Sequence, residues 1–183
     1  MKFTILQENL HKDLGKTIRI LVNKPQLPIL AHVLISTLKG KITITTTNME
    51  TSIQISLSGK IEEEGELCVP ARLFYELVSS LPKETVTVTA KEESLIVQTQ
   101  KTKASLPGVV ATEFPPLPEF SSSQGVDLPN DTLRMVLGQV LFSAAVDESR
   151  PLLTGIKVEN SPEGTIFVST DGYRLSLKKI PGE

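Results

Sequence analysis

The chain has 183 residues, 39% hydrophobic and 22% charged, enough for one large domain or one and a half small ones. Its formal net charge of −2 argues against a protein that grips nucleic acid with its whole surface, while leaving room for a basic inner face and an acidic outer one. The single Cys68 excludes an internal disulfide, and with no secretory or membrane-length apolar run the sequence reads as that of a cytoplasmic protein with no membrane partner.

Along the chain, one unit of about 60 residues recurs three times, each time as a strand, an amphipathic helix and three alternating strands. The first copy opens with Lys2–Ile5 and runs into a helix over about Asn9–Asn23. Leu10, Leu14, Ile18 and Leu21 form one apolar stripe of that helix. Strands follow around His32–Leu38, Lys41–Thr46 and Glu50–Ser58. In the last of these, Ile53, Ile55 and Leu57 alternate with polar residues, the pattern of a half-buried antiparallel strand. Glu62-Glu63-Glu64-Gly65-Glu66 reads as a charged turn between copies.

The second copy opens at Glu66–Val69, with a helix from Pro70 to Leu81 that Pro82 stops. Strands are expected at Thr85–Thr89, Ser94–Thr99 and Thr102–Leu106. The stretch 119–125, after a proline-rich approach, reads as a linker. The third copy opens at Val126–Leu128. Asn130 or Asp131 caps its helix, which runs to about Ala145 with Leu133, Val136, Leu137, Val140 and Leu141 on its apolar face. Its strands are expected at about Leu152–Val158, Thr165–Ser169 and Arg174–Lys179, with Asp171-Gly172 as a tight turn.

Catalysis finds little support. His11 and His32 lie in different elements, and Cys68 suits a small buried position better than a reactive thiolate. The glutamate run lacks the ligand spacing of a calcium loop, and no phosphate-binding, dinucleotide, zinc or nucleophile-elbow motif occurs. The chain is not expected to be an enzyme, nor to need a metal or cofactor.

Several segments resemble those of one family. Arg150-Pro151-Leu152-Leu153-Thr154-Gly155 and Thr170-Asp171-Gly172-Tyr173-Arg174-Leu175 resemble two stretches of the second domain of bacterial sliding clamps, the β subunits of DNA polymerase III. Met1-Lys2-Phe3-Thr4, Leu27-Pro28-Ile29-Leu30, Val69-Pro70-Ala71-Arg72-Leu73-Phe74 and Phe114-Pro115 resemble, in order, stretches of the first domain. The resemblance implies an α+β DNA-clamp fold of repeated βαβββ units, with helices on one inner face and antiparallel sheets on the other. It divides the chain into a first clamp domain at 1–118 (repeats of about 1–60 and 61–118), a linker at 119–125, and the first half of a second domain at 126–183. Clamps of this family have three domains, so the sequence is expected to be a truncated portion.

The resemblance also implies sites. Lys24 and Arg72 match positions that face duplex DNA. Lys12, Lys16, Arg19, Arg134 and Gln139 are further candidates that an ordinary solvated helix face would display equally well. Leu153, Thr170, Gly172, Tyr173, Arg174 and Leu175 match a pocket that receives peptides of polymerase III subunits, the clamp loader and other clamp-binding proteins. The strand around Lys103, Ala104 and Leu106 matches a ring-closing edge.

The expected function is a processivity factor that encircles duplex DNA and tethers polymerases and repair proteins. The rival reading is a naturally short clamp-like protein that binds partners without forming a ring. No closed ring is expected of this chain alone, and its DNA binding is expected to be weak and salt-sensitive. The third copy has no complementary half here. A homodimer through residues 126–183 is the expected way to cover its apolar face, since each Å² left in water costs roughly 25 cal/mol.

Overall fold

The computed structural model describes residues 1–22, 25–117, 127–147 and 149–182. The chain divides into two compact units, Met1–Glu119 and Phe120–Glu183.

The first unit begins with β1 (Lys2–Leu6) and α1 (Gln7–Thr17), followed by β2 (His32–Ser36), β3 (Ile42–Thr47) and β4 (Ser52–Leu57). Then come β5 (Lys60–Glu63), β6 (Glu66–Pro70), α2 (Ala71–Ser80), β7 (Thr85–Lys91), β8 (Ser94–Gln98) and β9 (Lys103–Pro107). All strand pairs are antiparallel, in a four-stranded sheet β4-β3-β2-β6 and a five-stranded sheet β5-β1-β7-β8-β9. The two copies of the repeat do not form one sheet each, as independent layers would. Each copy gives its opening strand to the other's sheet, β1 to β7 and β6 to β2. The inward residues of these joints, Phe3 opposite Val88, Ile5 opposite Val86 and Val69 opposite Val33, are all fully or almost fully buried in one shared core. Two half-domains are thereby locked into one hydrophobic cluster.

Both helices close over that core and lie side by side. Leu10 and Leu14 of α1, and Phe74 and Val78 of α2, are completely buried. His11 stacks on Tyr75 with ring centroids 4.9 Å apart, and Gln7 Nε2 donates to the Val78 carbonyl at 2.8 Å. Here α1 ends earlier than its apolar stripe suggests. The Thr46 hydroxyl donates to the Thr17 carbonyl at 2.8 Å, and after it the chain tightens into a 3-10 turn at Ile18–Ile20 and then extends. At the other helix, Pro70 is the N-cap, and Leu81, which precedes Pro82, is extended.

Strand β5 is the second departure. The expected glutamate turn is partly an edge strand, with Glu62 and Glu63 exposed and Lys2 bonded to Glu62 at 2.7 Å. Charged side chains on an edge strand discourage further pairing, which suits this composition. That hydrogen bond holds Glu62 below the usual carboxylate range. Cys68 is fully buried in β6, and burial pushes its thiol up to about 12, with Glu66 and Glu113 adding to the shift. It is a packing residue, not a nucleophile.

The second unit contains α3 (Asn130–Val140), 3-10 turns at Leu141–Ser143 and Pro151–Leu153, and the sheet β10-β11-β12. Its strands are β10 (Lys157–Ser161), β11 (Gly164–Thr170) and β12 (Leu175–Pro181). Val136, Val140 and Phe167 form its small buried core, with Leu128, Leu133, Ile156 and Ile180 packed around them. The N-cap of α3 is Pro129, with no side-chain cap bond from Asn130 or Asp131, and the helix ends at Val140, leaving Leu141 57% exposed. The segment expected as one strand over Leu152–Val158 is a 3-10 turn followed by β10. Asp127 and Leu128 of the expected opening strand belong to no strand, and Val126 lies outside the described residues. Among the described residues no helix is long and apolar enough to cross a membrane.

Candidate functional site

Two segments of the second unit meet around Gly172. The first is the 3-10 turn Pro151–Leu153, fixed by Leu153 N–H donating to the Arg150 carbonyl (3.0 Å) and the Thr154 hydroxyl to the Pro151 carbonyl (2.8 Å). The Leu153 carbonyl accepts from Ala145 N–H at 2.9 Å, tying the turn to the segment after α3. The second is the loop Thr170–Arg174 between β11 and β12. Gly172 has φ +92°, and a Cβ there would stand 3.1 Å from Arg150 Nη1. Glycine suits that backbone angle, while the guanidinium, at the end of a flexible side chain, is free to shift by a few tenths of an ångström.

Asp171 organises the loop. Its Oδ1 accepts from the N–H groups of Tyr173 and Arg174, both at 2.9 Å, while Oδ2 accepts from Arg174 Nε at 2.9 Å. Thr170 Oγ1 donates to the Arg174 carbonyl at 2.7 Å and accepts from Gly172 N–H at 3.0 Å. The backbone donors of Arg174 and Tyr173 hold the Asp171 carboxyl below its ordinary range. Its contribution to the loop is therefore present above that range and is lost as pH falls through the lowered folded value. The Arg174 guanidinium also lies 5.8 Å from the centroid of the Phe142 ring.

Around this rigid loop stands exposed apolar surface. Tyr173 is 94% exposed, Leu175 63% and Phe142 61%, with Leu153 half-buried. A fixed loop with apolar side chains and guanidinium groups suits the capture of a peptide, because few groups must be ordered on binding. Leu153, Thr170, Gly172, Tyr173, Arg174 and Leu175, expected from the sequence, lie on these two segments or beside them, and the structure sets Asp171, Phe142 and Arg150 next to them. The Asp-Gly pair had signalled only a turn.

The residues expected to face DNA lie on several elements. Lys12 and Lys16 are exposed on α1, with Lys16 paired to Asp13 at 2.7 Å. Arg19 is exposed on the 3-10 turn after that helix, Arg72 on α2, and Arg134 and Gln139 on α3. Lys24 lies outside the described residues. Glu8 also occupies the α1–α2 surface, where it pairs with Lys83 at 2.7 Å, so this face is mixed rather than uniformly basic. At the far end of the five-stranded sheet, β9 pairs only with β8 among the described residues. Lys103 is exposed and Ala104 half-buried on that edge, whereas the Leu106 side chain is buried in the core and leaves only its backbone to an edge contact.

Among the described residues no His, Cys, Asp or Glu group is placed to hold a metal ion.

Comparison with known proteins places these features in context. The family model for the DNA polymerase III beta subunit N-terminal domain matches residues 1–118, and that for its central domain matches 127–183. The beta sliding clamp of Haemophilus influenzae is 33% identical over 183 residues, covering 98% of this chain and 50% of that protein. A putative DNA polymerase III beta subunit from Eubacterium rectale gives a TM-score of 0.94 at 27% identity, covering 100% of this chain and 50% of that one. A sliding clamp from Pseudomonas aeruginosa, solved bound to griselimycin, gives 0.91 at 26% identity, with 100% and 50% covered. The chain spans about half the length of the curated relatives it matches.

Proposed function

The chain belongs to the DNA polymerase III beta-subunit family, the bacterial sliding clamps, and from that premise we propose that it is part of a processivity factor that holds replication proteins on duplex DNA. In this reading, residues 1–118 are the first clamp domain, 119–125 a linker, and 126–183 the first half of the central domain. The work is binding rather than catalysis. Lys12, Lys16, Lys24, Arg19, Arg72 and Arg134 face DNA and act through phosphate electrostatics, and the neutral Gln139 acts through a hydrogen bond to phosphate, all without reading bases. The mixed charge on the α1–α2 surface fits a protein that slides, since many tight phosphate contacts would oppose movement. The edge of β9 serves ring closure.

The observation that carries the reading is the loop Thr170–Arg174, built on Asp171 and flanked by exposed Tyr173 and Leu175. This corner receives the clamp-binding peptides of polymerase III subunits, the clamp loader and repair factors. Calorimetric titration with a clamp-binding peptide from a polymerase III subunit tests it. Asp171→Ala removes the acceptor of three loop hydrogen bonds and is expected to weaken binding by about tenfold, or ~1.4 kcal/mol. Glu163→Ala, at an exposed turn of the same unit, is expected to leave binding unchanged. Equal affinity for wild type and Asp171→Ala would count against the assignment.

A further inference from the structure

The strands of the five-stranded sheet alternate between the core and the outside. Val86, Val88, Leu95, Val97 and Leu106 are buried, so Thr89, Lys91, Ile96, Gln98, Lys103 and Ser105 point outward. The register sets Lys2, Thr89, Ile96 and Ser105 in one row across β1, β7, β8 and β9. Lys91 stands two residues beyond that row on β7. Lys103, opposite Gln98, stands two residues to its other side on β9. By sheet spacing the Cα atoms of these two lysines are roughly 16 Å apart, with Thr89 and Ile96 between them. Lys2, Thr89, Lys91, Ile96, Gln98 and Lys103 line a depression of about 320 Å³, with Glu63 at its border.

The charge on this face is one-sided. Lys91 and Lys103 are the only charged residues of β7, β8 and β9, both are exposed, and neither forms an ion pair among the described residues. Lys2, the third cation, is held by Glu62 at 2.7 Å. The strands of the four-stranded sheet carry no lysine or arginine and one carboxylate, Glu66. The cationic face is therefore particular to one sheet. At its centre lies Ile96, an apolar side chain that points outward and is half-buried by its neighbours.

We propose that this outer face binds an acidic peptide segment of a partner protein, laid in extended form across the sheet, with carboxylates on Lys91 and Lys103 and an apolar side chain on Ile96. An extended chain advances about 3.4 Å per residue, so carboxylates four or five residues apart span the two ammonium groups. The lysine stems add apolar surface beside Ile96, and the Thr89 hydroxyl and Gln98 amide offer hydrogen bonds to the peptide. Charge complementarity selects an anion, and the borders select a short one. Glu62 and Glu63 are exposed on one side, and Glu92 and Glu93 in the β7–β8 turn on another, so a long phosphate backbone would run into carboxylates. The lining residues include no aromatic ring on which a base could stack. This goes beyond the sliding-clamp reading, because it uses neither the peptide corner, nor the residues proposed to face DNA, nor the backbone edge of β9.

Amide-resolved NMR titration of the 183-residue chain tests it, with an N-acetylated, C-amidated hexapeptide of two aspartates, two leucines and two aspartates in that order. Saturable shifts are expected at Thr89, Lys91, Ile96 and Gln98, with affinity falling as salt is raised. Lys91→Glu, a change at an exposed site, is expected to raise the dissociation constant about fivefold, and Lys91→Arg to leave it within about twofold. The same peptide with serines for aspartates is expected to give no saturable shifts. Absence of shifts at Thr89 and Ile96, shifts centred on Thr170–Leu175, or an affinity unchanged in Lys91→Glu would each overturn the proposal. A single-stranded oligothymidylate that moves the same amides at lower concentration would overturn it in favour of a nucleic-acid face. Lys91→Glu is expected to keep wild-type affinity for the clamp-binding peptide, which separates a failure here from a failure of the functional reading.

Discussion

Phe74→Ala is expected to lower the stability of the first unit by about 3–5 kcal/mol, read as a lower urea midpoint. Phe74 is completely buried on the inner face of α2, within the one cluster that joins both sheets and both helices. Because the two copies exchange their opening strands, neither sheet can relax alone around the cavity. The loss should therefore be cooperative across β1 to β9. The adjacent Leu73 is 46% exposed, and Leu73→Ala is expected to change stability by no more than about 0.5 kcal/mol. Similar effects for the two substitutions would contradict the packing described here.

Gly164→Ala is the corresponding change for the second unit. Gly164 has φ +128°, and a Cβ there would overlap the Ile180 carbonyl oxygen and stand 2.7 Å from Gly182 N. Both neighbours are backbone of the paired strand or its end, so neither can swing away as a side chain would. The strain is expected to cost about 3 kcal/mol, comparable with the whole stability that a core of this size supplies. Among the described residues its hydrophobic core cluster is Val136, Val140 and Phe167. The expected result is loss of the α3–β12 unit and of peptide binding, with the urea transition of the first unit unchanged. Wild-type peptide affinity in Gly164→Ala would refute this.

Much of the fold was legible because side-chain periodicity reports which face is buried. The Leu10–Leu14 spacing placed the inner face of α1, and Ile53, Ile55 and Leu57 mark the less exposed face of β4. Periodicity says nothing about which strand lies alongside, so the exchange of β1 and β6 between sheets was invisible. Strand β5 was hidden because Lys60-Ile61-Glu62-Glu63 has the composition of a solvated turn, and an edge strand tolerates that composition. At the end of α1 the Thr17 carbonyl accepts from the distant Thr46 hydroxyl, a contact that no local pattern announces.

The candidate site divides in the same way. Leu153 and the residues around Gly172 are candidates through motif resemblance, and the structure brings their segments together with Arg150 at Gly172. The role of Asp171 in the loop was not legible because an Asp-Gly pair explains itself as a turn, while its carboxylate accepts from Tyr173 and Arg174 further along. For Lys12, Lys16, Arg19, Arg72, Arg134 and Gln139, exposure on helices or at a helix end is common to solvated faces and DNA-facing ones.

The most direct measurement is an amide-resolved NMR titration of the isotopically labelled chain with the polymerase-derived peptide. Saturable shifts are expected at Leu153 and Thr170–Leu175, extending to Phe142 and Arg150, with residues 1–117 unmoved. Shifts centred in the first unit, or none at saturating peptide, would contradict it.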